Sequence, residues 1–176
     1  MLIDDASIGI IGGADGPTAI FITDGFGWIN GFGLLLVLLI LLPNIVYALR
    51  LRKQPENAQP AESVSRTLII LEQIGRFGCM LCSVFDFGFG PFGYPSVAAF
   101  LAAGIVCPLL LLLYWLFWAL YFHGETRFRA RMLAILPSLL FFLFGLTLLH
   151  PLLLGFSLLF AICHIRITWL NTAALS

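Results

Sequence analysis

Five polar residues recur along one apolar stretch at spacings of four, three, four and three: Glu72, Arg76, Cys79, Ser83 and Asp86. On a helix that spacing lines them up as a single stripe, turned toward neighbouring helices. Glu72 precedes Arg76 by four residues, the favourable order for a helical ion pair, so a mutual pair is the first expectation. Charges near a bilayer centre are costly, so they pair or line a cavity. Counting residues from the ends of the apolar runs places Asn44 and His164 at the depth of Glu72. An inner cluster of Asn44, Glu72, Arg76 and His164 is therefore expected, with Asp86 and His150 as an outer pair. Titratable groups at two depths are what a proton or ion relay requires. The competing expectation is a self-satisfied network that only specifies how the helices pack. Gly75 and Gly78 flank Arg76 and would let another helix come close.

Cys79 and Cys82 form a C-x-x-C, the spacing of dithiol redox motifs. They fall near mid-membrane, where a partner protein's thiol cannot easily arrive, so packing is the stronger reading. The other two cysteines, Cys107 and Cys163, are isolated. No His or Cys set has tetrahedral metal-ligand spacing, and the histidines offer no facing pair for a haem or quinone. The chain is thus expected to carry no cofactor other than an ion, and not to be an enzyme on its own.

The elements that must position these residues are set by composition. Of 176 residues, 61% are apolar and only 10% charged. Soluble domains are roughly 45–50% apolar and about 25% charged. Nine acids and nine bases cannot clothe a soluble surface of this size. The net charge of zero also removes the electrostatic case for a nucleic-acid partner. A hydrocarbon core of about 30 Å needs about 20 apolar helical residues. Five such runs occur, at 31–49, 67–87, 97–122, 131–149 and 152–168. The expected fold is all-α, an integral membrane bundle of about five transmembrane helices, with a polar linker after the first and a tight turn at His150-Pro151.

Lys and Arg set the orientation. Arg50, Arg52, Lys53, Arg66, Arg127, Arg129, Arg131 and Arg166 all fall on one side if the chain crosses five times. The N-terminus is therefore expected outside and the C-terminus in the cytoplasm, in a multi-pass protein of a bacterial inner membrane. No cleavable signal peptide is expected, because Asp4 and Asp5 stand where a basic region would. The expected partners are the lipid bilayer and other membrane subunits.

Residues 1–30 differ in kind. Apolar arms are broken by Gly12-Gly13, Asp15 and Gly16-Pro17, so a continuous helix is disfavoured and the arms are too short to span. Such a segment is re-entrant or interfacial, and an unwound bend can expose oxygen ligands to a cation. The plainer alternative is a turn that reverses the chain at Asp15-Gly16-Pro17. The stretch IGIIGGADGPTAIF resembles a motif of the β subunit of sodium-translocating decarboxylases. That resemblance implies that Asp15 and Thr18 sit in a sodium-binding bend, and that the chain is a relative or fragment of that subunit working with partner subunits. It covers only about residues 7–22. The family's paired-aspartate segment, biotin-attachment and carboxyltransferase sequences have no counterpart here. PNIVYALR, EQIGRFGCM and LLFAICHIRITWLN resemble a family of small polytopic bacterial membrane proteins, which implies a topology and no activity.

Overall fold

The computed structural model describes residues 8–13, 16–22, 28–51, 64–88 and 93–174. Five helices make up the bundle: α1 (Gly31–Leu51), α2 (Arg66–Val84), α3 (Val97–His123), α4 (Arg127–Leu148) and α5 (Pro151–Asn171), the last continued by a 3-10 turn at Thr172–Ala174. All five are long and apolar enough to cross a membrane. Twenty-one residues of α1 rise about 31 Å, which matches the hydrocarbon thickness. Pro43, Pro108 and Pro137 lie inside these helices without ending them. Packed neighbours in a membrane bundle can re-satisfy the carbonyls that proline leaves unpaired.

Helix ends follow local chemistry. Thr126 caps α4, its hydroxyl accepting from the Arg129 amide at 3.3 Å, so this helix starts at Arg127, ahead of the first apolar residues that marked the expected span. At the other end Leu149 takes a left-handed conformation (φ 52°) to close α4. His150 then caps α5, its Nδ1 accepting from the Leu153 amide at 3.2 Å, with Pro151 in the first helical position. One expectation is corrected here: α2 ends at Val84, and Phe85 is extended. Phe85 bridges to Ile29, while the Asp86 amide donates to the Trp28 carbonyl at 2.9 Å and the Asn30 amide to the Val84 carbonyl at 2.8 Å. These bonds to the segment before α1 draw the chain off the helix. Asp86 therefore does not continue the helical stripe, which stops at Ser83.

Packing places α4 at the centre. Of its most apolar window 56% is buried, against 17–33% in the other four helices. α5 packs along both α2 and α4, α3 packs on α4, and α1 rests more lightly on α2 and α3. Phe141, Phe144, Leu140, Leu148 and Leu153 are fully buried at the α4–α5 contact and its surroundings. The bundle has two chemically distinct ends. Arg50 of α1 lies over Phe122 of α3 at 4.4 Å, and Arg131 of α4 over Trp169 of α5 at 4.6 Å, so the C-terminal ends of α1, α3 and α5 share one end with the start of α4. Every described basic residue except Arg76 belongs to that basic end.

Ahead of the bundle, β1 (Ile8–Gly13) and β2 (Gly16–Ile22) pair antiparallel. The register shifts between Ile11, opposite Ala19, and Gly12, opposite Pro17, which leaves Thr18 as the extra residue of a bulge. Asp15 lies outside the described residues, as do Arg52, Lys53 and most of the polar linker.

The α2–α5 contact depends on missing side chains. A Cβ at Gly75 would come within 2.7 Å of the Phe160 backbone nitrogen, and one at Gly78 would overlap the Phe156 ring. Gly155 on α5 has open space beside it. Gly75→Val is expected to lower stability by about 1–3 kcal/mol through overpacking, whereas Gly155→Ala is neutral or slightly stabilising. Thermal unfolding of the detergent-solubilised chain measures both; equal midpoints for the two variants would contradict this packing.

Candidate functional site

Glu72 stands one and a half turns into α2, its side chain buried to 4% exposure. Its Oε1 accepts from Arg76 Nη2, one turn further along the same helix, and contacts His164 Nδ1 of α5 at 3.0 Å. Three of the four residues expected in the inner cluster thus meet at a single carboxylate oxygen shared by two helices. The Phe160 ring supports both partners: it stacks on the His164 imidazole with centroids 4.7 Å apart, and the Arg76 guanidinium lies 5.9 Å from its centroid. The antiparallel register explains the meeting. Steps of three along α2 (Glu72, Gly75, Gly78) face steps of four backward along α5 (His164, Phe160, Phe156), the ridge-into-groove pattern of near-parallel helices.

Arg76 is the half-open member of the triad, its side chain 36% exposed. It lies ten residues from Arg66, about 15 Å of helical rise, which is too deep for its side chain to snorkel to either surface. Its charge is met inside the protein or not at all.

Asn44 does not bond to this triad. Its Nδ2 donates to the Ile40 carbonyl and to the Tyr114 hydroxyl, both at 2.8 Å. Tyr114, on α3 and nearly fully buried, lies within electrostatic range of Arg76 and so joins Asn44 to the edge of the cluster. The sequence reading missed Tyr114 because α3 has no polar stripe to single it out. Trp115 Nε1, the next residue, donates to the Leu39 carbonyl at 3.0 Å and makes a second tie from α3 to α1.

At the opposite end Asp86 and His150 share a neighbourhood without touching. Asp86 Oδ1 accepts from the Gly88 amide at 2.7 Å in a local turn. His150 is fully buried, and burial pushes its pKa below the ordinary 6.5 although the Asp86 charge favours the protonated form. Cys79 and Cys82 are free, buried thiols, as are Cys107 and Cys163. Among the described residues no three His, Cys, Asp or Glu side chains gather to hold a metal. Thr18 is described only as a backbone position in β2.

Fold and site together define a small multi-pass membrane protein with an all-α bundle and a charged triad at membrane depth. Compared with known proteins, the chain matches no family model, no curated protein and no solved structure.

His150 has a pH consequence. Its folded pKa lies below the unfolded 6.5, so both states are neutral above that value and the unfolded state alone takes the proton just below it. Stability present above pH 6.5 is therefore lost as the pH falls toward the folded value. His150→Asn keeps an acceptor at the α5 cap but does not titrate. Its unfolding midpoint is expected to fall less than the wild type's between pH 7.5 and 5.5; parallel profiles would refute the assignment.

Proposed function

We propose that this chain handles a proton or cation within the bilayer of a bacterial inner membrane, as an accessory to transport and not as an enzyme on its own. The observation that supports the reading is the sharing of the buried Glu72 carboxylate by Arg76 and His164. Arg76 alone would neutralise Glu72 and leave an inert pair. Imidazole, however, is the side chain suited to changing charge near neutral pH. With imidazole neutral the triad carries no net charge; with a proton added it carries one positive charge. A proton arriving at His164 thus alters the charge of the site beside a half-open guanidinium, which is the elementary step of a relay.

In proteoliposomes under an imposed pH gradient, the wild-type chain is expected to dissipate the gradient faster than empty vesicles. Glu72→Gln and His164→Phe should return the rate to that of empty vesicles. Wild-type rates equal to empty vesicles, or an Arg76→Met variant with unchanged level and rate, would overturn the reading.

A second reading is favoured by the bulge at Thr18. Bulges take backbone groups out of the strand ladder and cluster beside functional sites, and this one falls within the stretch that resembles the sodium-translocating decarboxylase β subunit. On that reading Asp15 and Thr18 hold sodium, and the chain is a relative of that subunit. The same vesicles under a sodium gradient separate the two: sodium flux lost on Asp15→Asn but retained in Glu72→Gln favours the N-terminal segment.

The basic end is proposed to face the cytoplasm, following the retention of Lys and Arg on that side. A C-terminal alkaline phosphatase fusion, active only outside the cytoplasm, is expected to be silent, and activity would reverse the orientation.

A further inference from the structure

A shallow groove of about 430 Å³ follows one face of α5 into the 3-10 turn, lined by Ile162, Ile165, Arg166, Trp169, Leu170 and Ala173. Its chemistry changes along the helix axis. Ile162 and Ile165 lie toward the hydrocarbon, while Arg166 and Trp169 lie toward the basic end, where an indole suits the lipid headgroup level. A second cation stands next to the lining: Arg131 of α4 stacks on the Trp169 ring, its guanidinium carbon 4.6 Å from the centroid. Among the described residues no carboxylate lies within ion-pair distance of Arg131 or Arg166. The neighbouring Arg129 differs, being engaged by the Leu120 and Gly124 carbonyls.

We infer that this groove is a binding site for an anionic diacyl phospholipid of the phosphatidylglycerol class. The phosphate is held by Arg166 and Arg131 beside the Trp169 ring, and an acyl chain follows Ile165 and Ile162. Two cations without a carboxylate partner among the described residues supply the charge complementarity at the headgroup level. The apolar half selects a lipid over free phosphate, because a bare anion would leave the isoleucine face uncovered. The site is independent of the Glu72 triad and stands or falls apart from it.

The test uses the full chain in neutral detergent, with a thiol-reactive dye following exposure of the four buried free cysteines on heating. Dioleoylphosphatidylglycerol is expected to raise the unfolding midpoint saturably, whereas dioleoylphosphatidylcholine and inorganic phosphate leave it unmoved. Arg166→Gln should weaken the apparent affinity for phosphatidylglycerol about fivefold, the effect of removing one cation near a headgroup. Ile165→Trp fills the apolar half, keeps both arginines, and should weaken it similarly. Equal shifts from the two lipids, a phosphate effect matching that of the lipid, or wild-type affinity in Arg166→Gln would each overturn the assignment. Should Arg166→Gln fail to fold, Ile165→Trp decides: wild-type affinity there rejects the site.

Discussion

A carboxylate buried in a membrane-spanning helix is the constraint on which this bundle turns. Glu72 could not remain charged in hydrocarbon without partners, and it could not find both on its own helix. Arg76 is supplied by local spacing, but His164 arrives only if α5 lies close against α2 in one register. That closeness is licensed by Gly75, whose absent side chain leaves room for the Phe160 backbone. Phe160 in turn braces the imidazole one turn along α5. Glycine, aromatic and charge thus form one causal chain, in which sliding α5 by a turn would strand the carboxylate. Apolar contacts alone could not enforce that register, because lipid tails offer a leucine face as good a neighbour as another helix does.

The same reasoning explains how α1 is held. It buries few side chains, so burial gives it little reason to stay. Polar ties at its start and along its length hold it instead. Near its start the backbone bonds from Asn30 and Trp28 reach the unwound end of α2, and further along Asn44 and the Leu39 carbonyl bond to Tyr114 and Trp115 of α3. Each tie satisfies a group that would otherwise lie unpaired in hydrocarbon, which makes separation of α1 costly even without a large apolar interface.

Much of this was legible in the residues. The five spans follow from apolar length, and the Glu72–Arg76–His164 association follows from spacing and depth, because few groups at that depth could compensate a charge. What escaped were features set by tertiary partners. Asp86 looked like the next step of a helical stripe, yet α2 stops at Val84 because the segment before α1 captures its following backbone groups. Asn44 matched the triad in depth but was bonded by Tyr114, whose helix is so uniformly apolar that no periodicity marks its hydroxyl. Phe160 carried no signal either, being one of 17 phenylalanines. The start of α4 was readable in principle, since Thr126 stands where a cap belongs.

The described Lys and Arg side chains separate into those at the basic end of the bundle and Arg76, which lies in its middle. Arg129 ties the carbonyls ending α3, while Arg50 and Arg131 lie on aromatic rings, so the basic end is built into the fold as well as marking it. Arg76 has no such outlet, being too deep to snorkel, and among the described residues the carboxylate that compensates it is Glu72. The pair is neutral, and any proton added at His164 then appears as net charge in a medium that screens poorly, where it acts on every dipole nearby. Tyr114 interacts electrostatically with Arg76, and through Asn44 it is bonded to the lightly packed α1. A change of charge at the α2–α5 contact therefore has a physical route to a helix held more by polar ties than by packing.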